Sequence, residues 1–444
     1  MRSVIHESPA MRAEGELTMT SLMNAELGTP KAFASRRRGA GGAGRHAARA
    51  ILLALAALVV FVTPARAQFG MMGGGAGDMM DPITKRSFDA FVKLLGLDAD
   101  QKETAKALYE GHTEANRALQ KEMMEKMAAL GEKAREDGDF SVFQKEMPAI
   151  GKDMTAKGEA LEKGFFDDLK AVCTEAQLAE WPAVERHHRR GKAMRFGIVS
   201  GSAVDLVAVM DRIKAVPADA GVVKDALDGW ELEVDRLLVQ FEKDAKSAQD
   251  DMMQGGAMFD MNKIQDMMKK FSESAGQVRD LNRSYARRIE PALTDEDRAK
   301  FVAEVQRRSF PRIYRPSHPQ QMLDAALGFA DLTPDQKEQL QSVKESYGRD
   351  AATANEKWAK ATEEKEAQAG GSLMVMMQGF QGMGGDPNDP VKIARDSRRD
   401  LDAKTKERIE SILTPEQKAK LPKKKSEGFN PMGDFMIDED EDAQ

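Results

Sequence analysis

Cysteine is nearly absent: Cys173 is the only one in 444 residues, so the chain holds no intrachain disulfide framework. Aromatic residues are few, with three Trp and four Tyr. Histidine is also scarce, and four of six lie beyond residue 67: His112, His187, His188 and His318. No helical His/Glu constellation gathers these four, which argues against a divalent-metal centre. The longest apolar run, Ile51 to Val62, has 12 residues and is short for a membrane span. Alternating β-branched runs between turns are missing, which excludes a sheet protein. No Gly-rich phosphate loop, Gly-x-Ser-x-Gly or His-Glu-x-x-His occurs, and the many carboxylates sit at the charge-pair spacing of solvated helix faces. The chain therefore reads as non-enzymatic, with no cofactor and no metal site.

What the chain has instead is a recurring helix start. Leu413-Thr414-Pro415-Glu416-Gln417 nearly repeats Leu332-Thr333-Pro334-Asp335-Gln336. Weaker copies open at Leu97, Cys173 and Leu293, and a degraded one at Val216. Thr is a good N-cap, Pro fits the first helical position, and an acidic residue suits the positive end of the helix dipole. Gln at the third position completes a capping box, and the leading Leu is placed as a hydrophobic staple. Helix-end chemistry alone accounts for Leu332, Thr333, Gln336, Leu413, Thr414 and Gln417, so the motif reads as structural.

Spacing is the more informative signal. The copies pair at separations of 76, 77 and 81 residues, and like copies recur every 116–120. This predicts three tandem units, each with one opening and one closing copy. The boundaries fall at 84–196, 197–316 and 317–425. Each unit reads as a short apolar helix followed by a long antiparallel hairpin, with turns near 137–140, 253–260 and 370–389. The predicted seams are Ala105, Leu108, Ala115, Leu119, Met123, Met127 and Leu130; then Val223, Leu227, Trp230, Val234, Leu237, Phe241, Ala245 and Ala248; then Leu340, Val343, Tyr347, Ala351, Ala354, Trp358 and Ala361. The fold class is all-α.

The flanking segments read as targeting and tails. Arg36-Arg37-Arg38, the apolar run and Ala65-Arg66-Ala67 form a signal-peptide pattern over residues 1–67. Residues 1–67 carry nine Lys or Arg against four Asp or Glu, so their removal takes the net charge from −7 to −12. An exported protein, periplasmic or extracellular, is expected, with no membrane span in the mature chain. Its acidity argues against nucleic-acid binding. Residues 68–83 form a Gly/Met-rich tail, and 426–444 an acidic one.

Methionine clusters fall at the hairpin turns: Met252, Met253, Met258 and Met261 in the second unit, Met374, Met376 and Met377 in the third. They read as adaptable filler, as a plastic gripping surface for clients, or as soft thioether ligands for copper. The short opening helices, with Phe88, Phe91, Val207, Met210, Met322, Leu323 and Leu327, are expected to extend the gripping surface. Basic clusters close the units at 186–195, 307–315 and 420–425, where cations suit helix C-termini and solvated linkers; recognition of acidic client segments or anionic envelope surfaces is the alternative. Cys173 reads as a substitute for the staple Leu.

The paired Leu-Thr-x-x-Gln copies on a Met-rich, charge-rich helical chain resemble the Spy/CpxP family of periplasmic proteins, here as three tandem family-sized units. The resemblance implies a helical cradle acting as an ATP-independent chaperone or envelope-stress regulator. Its partners would be unfolded or partner proteins of the cell envelope, and self-association stays open. A Met-rich copper-binding accessory protein and a non-catalytic helical spacer are the alternatives.

Overall fold

The computed structural model describes residues 83–423 apart from 140, 196, 255–260, 372–374 and 376–385. Among them the chain is helical, with a single isolated antiparallel bridge, Pro217 to Leu293. The first helices are α1 (Lys85–Leu94), α2 (Ala99–Glu136), α3 (Ser141–Val172), α4 (Glu175–Leu178) and α5 (Trp181–Ala193). Then come α6 (Leu206–Ile213), α7 (Ala220–Gln254), α8 (Met261–Ile289), a 3-10 turn (Glu290–Ala292), α9 (Asp295–Ser309) and α10 (Pro311–Tyr314). The last are α11 (His318–Leu327), α12 (Pro334–Ala369), α13 (Pro390–Ile412) and α14 (Pro415–Ala419). Three long helical hairpins, α2–α3, α7–α8 and α12–α13, thus follow one another, each preceded by a short helix. No described helix is long and apolar enough to cross a membrane.

Helix ends lie where local chemistry puts them. The side chains of Asp98, Thr174, Thr333 and Thr414 accept from the N–H three residues on, and each makes a full capping box with its Gln. Thr294 and Asp205 cap α9 and α6 without a Gln partner. Gly370 stops α12 at φ 82°, a left-handed conformation that glycine enters without a Cβ penalty. Gly371, at φ 114°, lies where an added Cβ would run into Ser272 of α8.

Each hairpin buries its own seam. Phe91, Leu169 and Val184 centre the first core, Trp230, Val234 and Ile289 the second, and Leu323, Leu340 and Ile409 the third. The seams differ in detail from the apolar pattern. In α2, polar His112 and Asn116 take buried positions and Ala115 is only half-buried. In α7, Ala226 and Leu238 are buried where Leu227 and Leu237 pack only partly. In α12 the seam holds from Leu340 to Ala351, then passes to Ala359 and Glu366. A heptad drifts by about 20° against a straight helix, so a pattern read over ten turns changes face.

The short opening helices are buried, which corrects their expected role as an open gripping surface. Phe88 and Phe91 are 4% and 0% exposed, Met322 and Leu323 1% each. Val207, Met210 and Leu327 pack partly against the same cores. α1 lies against α5, α6 against α9, and α11 against α12 and α13. A hairpin of two helices leaves the apolar residues at its open end uncovered, and the amphipathic short helix covers them.

Polar contacts join successive hairpins. Arg189 of α5 reaches Asp235 and Glu242 of α7. Ser200 donates to Glu366 of α12 through its N–H (3.0 Å) and hydroxyl (2.7 Å). Arg283 of α8 pairs with Glu363.

Trp230 sits at the centre of the middle core, fully buried, and its indole N–H donates to Asn282 at 2.9 Å. Trp230→Ala is expected to cost about 3–5 kcal/mol, and Leu232→Ala, on the exposed face of α7, less than about 0.5 kcal/mol. Urea unfolding of the two variants checks the contrast.

Candidate functional site

The motif copies, far apart in sequence, meet in space. Gln101 and Gln177 place their amides against each other, each Nε2 donating to the other's Oε1 at 2.9 Å. Each Oε1 also accepts from its own N-cap N–H, Asp98 at 3.0 Å and Thr174 at 2.8 Å. The remaining amide hydrogens cross over to backbone: Gln101 to Val172 O and Gln177 to Gly96 O. Gln336 and Gln417 repeat the arrangement, donating to Ile412 O (2.9 Å) and Asp331 O (3.0 Å) and to each other at 3.0 and 3.4 Å. Leu413 is buried beneath this clasp, Leu332 packs partly, and Thr333 and Thr414 stay exposed. Capping alone therefore does not account for the glutamines. Each one caps its own helix and ties the start of its hairpin to the end.

The middle hairpin closes without glutamine. Asp219 N–H donates to Ala292 O (3.0 Å), and Val216 N–H to the Asp297 carboxylate (2.9 Å). That N–H, with Lys300, holds the Asp297 carboxyl below the usual carboxylate range. Backbone and a shorter acid thus take over the work of two amides. The apolar step before the cap persists, since Leu293 is buried, although Val216 is exposed. Cys173 takes the same place in the first unit, half-buried against the first core, and burial raises its thiol pKa.

Of the residues expected to grip clients, Met258, Met374, Met376 and Met377 lie outside the described residues. For Met252, Met253 and Met261 only helical backbone is described. α7 ends at Gln254 and α8 begins at Met261, so this stretch starts and finishes at the end of the hairpin away from its closure. At 1.5 Å per residue the two ends of α7 are about 52 Å apart.

Between α3, α5 and α7 lies a cavity of about 230 Å³. Phe166 and Trp181 wall it edge to face, and Glu162, Lys192 and Glu242 border it. His188, nearly buried, shares a hydrogen bond with Glu162 at 3.0 Å. This His/Glu pair was not visible as a sequence constellation, because its partners lie 26 residues apart on different helices. Burial lowers the pKa of His188 against the opposing pull of Glu162, and lowers that of His187 to about 4. Among the described residues no three or more His, Cys, Asp and Glu side chains come together as a metal site.

The basic clusters at 186–195 and 307–315 do lie at helix C-termini, but each sends one arginine inward instead of into a solvated linker. Arg190 is 2% exposed and Arg308 3%. Several carboxylates share the interior with them, Glu304 and Glu366 among them. Charge runs look alike in sequence whether they face water or a joint between helices, and only packing separates the two.

Two predictions follow from this geometry. Thr333→Ala and Thr414→Ala should each cost about 0.5–2 kcal/mol as lost caps. Gln336→Glu and Gln417→Glu keep the capping acceptor but lose both crossing donors. A double-mutant cycle of Gln336→Ala with Gln417→Ala should show a coupling of roughly 0.5–3 kcal/mol, where independent caps would be additive. The second prediction concerns pH. An unfolded chain protonates His187 below 6.5, but the folded one only below about 4. Stability present above 6.5 is therefore lost as pH falls through that window, at up to about 1.4 kcal/mol per pH unit. Denaturant midpoints from pH 7 to pH 4 should fall less steeply in His187→Asn. No protein-family model, curated protein or solved structure matches this chain.

Proposed function

We propose that this chain is an exported, ATP-independent holdase or envelope-stress binding protein, built as three tandem units of the Spy/CpxP type. The observation that carries the reading is the clasp. The two full Leu-Thr-x-x-Gln copies, 81 residues apart, lie amide against amide, and so do the partial copies 76 residues apart, with Asp98 for Thr in one and Cys173 for Leu in the other. The signal-peptide pattern of residues 1–67 supports export.

In this reading the closed end fixes each hairpin, and in the second and third the opposite end carries the Met-rich sequence. The buried opening helices are spent on the hairpins' own cores, so client binding falls to the Met clusters at 252–261 and 374–377. Met suits that task because an unbranched, polarizable side chain adapts to many apolar surfaces. Two Met-bearing hairpins in one chain raise the effective concentration of the second contact, which compensates for weak single contacts.

The test is aggregation suppression by the chain from residue 68 onward, without nucleotide. Protection of an unfolding client is expected, and replacing Met252, Met253, Met258 and Met261 by Ser together should weaken it while leaving the helical circular dichroism signal unchanged. A Cu(I) titration runs beside it. Tight copper binding with no protection of any client would replace the holdase reading by a copper-accessory one.

A further inference from the structure

Aromatic residues make up 6% of the chain, yet four of them converge where α1, α3 and α5 meet. The ring centre of Phe166 stands 5.7 Å from that of Phe91, 5.4 Å from Phe165 and 5.9 Å from Trp181, and 4.8 Å from the imidazole of His188. All four contacts are tilted or edge to face, with interplanar angles of 56–87°. Ring quadrupoles favour this arrangement. Phe91, Phe165 and Trp181 are buried. Phe166, despite its four ring neighbours, stays half-buried, and it lines the cavity of about 230 Å³ between α3, α5 and α7.

The rim of that cavity is charged, and every charge on it already has a partner. Lys192 reaches Glu162 at 3.2 Å, and the indole N–H of Trp181 donates to Glu185 at 2.9 Å. Lys170 lies 4.6 Å from the Trp181 ring centre and 3.9 Å from Glu185. Arg189 is held by Asp235 and by Glu242, the latter at 3.3 Å. A charged ligand would have to break one of these pairs, and a neutral one would not. Size and ring contacts therefore select the occupant. An apolar cavity of about 150 Å³ holds benzene, so this one holds a single ring with a short substituent. Its mouth reaches solvent, since Glu185 and Glu242 are exposed.

We propose that this cavity is a binding site for one neutral aromatic ring, which packs against Phe166 beside Trp181. Displacing water from these walls drives the binding, and ring quadrupoles favour an aromatic occupant over an aliphatic one of similar size. Because Phe166 and Trp181 belong to the first unit and Glu242 to the second, the occupant lies against both. The site is independent of the holdase reading, since ring binding requires no protected client.

Titration of the full chain with N-acetylphenylalaninamide tests this, followed by nuclear magnetic resonance of the indole N–H groups of its three tryptophans. The Trp181 signal is identified by its loss in Trp181→Phe. It should shift saturably while those of Trp230 and Trp358 stay in place. N-acetylleucinamide should need a concentration roughly two- to tenfold higher for the same shift, the factor expected for ring–ring contact. Phe166→Leu, and Glu242→Phe, which fills the mouth from α7, should each weaken the midpoint by a comparable factor. Leu232→Ala, on the exposed face of α7, should match the parent chain. If Phe166→Leu does not fold, Glu242→Phe decides, since Glu242 is exposed. No shift of Trp181, equal midpoints for the two amides, or an unchanged midpoint in Glu242→Phe would overturn the site. A Gly/Ser-rich peptide carrying one Phe separates the sources of the ring. Binding of peptide and amide alike assigns an aromatic side chain of a polypeptide, and binding of the amide alone assigns a small aromatic molecule.

Discussion

A primary amide has two N–H donors and an oxygen with two lone pairs, and the clasp glutamines use all of them. The oxygen caps its own helix and accepts from the opposite amide. The nitrogen donates to the opposite amide and to the carbonyl just before the opposite motif. Glutamate would keep the cap and lose both donors, and asparagine is one methylene short of the same span. The register of a hairpin more than thirty residues long is set at this one end, because the amides meet only when both helices start at the right heights. Everything farther along the seam inherits that register.

The middle hairpin shows which part of this constraint is indispensable. Its glutamines are gone, yet the carbonyl before the closing motif is still satisfied, now by Asp219 N–H, and the N–H of Val216 crosses to Asp297 of the closing motif. What persists is the closure of the hairpin base by hydrogen bonds between its two ends, in agreement with the cost of leaving buried backbone groups unpaired. Middle-hairpin closure is reinforced by Trp230, whose indole N–H donates to Asn282 and whose ring has the Arg190 guanidinium 5.6 Å from its centroid. Arg190 comes from the preceding unit, so the core of one hairpin and its joint to the neighbour share a side chain.

Polar contacts cross the joints between hairpins, beside apolar ones such as Met194 in the middle core. Arg189, Ser200 and Arg283 reach across them to carboxylates. Directional contacts of this kind fix relative placement more than they stabilise it, since desolvation of each charge offsets much of the attraction. The same joints hold the buried Arg190 and Arg308 and the pKa-lowered His187, which makes the packing of neighbouring hairpins depend on pH.

Much of the architecture was legible in the sequence because its signals are local. Caps at Thr174, Thr333 and Thr414, breaks near Asp137, Gln254 and Gly370, and three- and four-residue apolar steps all depend on a few neighbouring residues. The long helices accordingly begin and end close to where the pattern put them. Which apolar face each side chain occupies was less legible: Leu238 displaced Leu237, and His112 and Asn116 entered the seam of α2, because helix rotation is set by the partner. Three things were decided by tertiary structure alone. The opening helices are buried, since an amphipathic helix reads the same whether its apolar face awaits a client or covers a core. The glutamines meet, since a capping box gives no sign of a second partner 76 or 81 residues away. Arg190 and Arg308 are interior, since a run of arginines is identical on paper to one facing water, and only the packing of α5, α6 and α9 removes it from solvent.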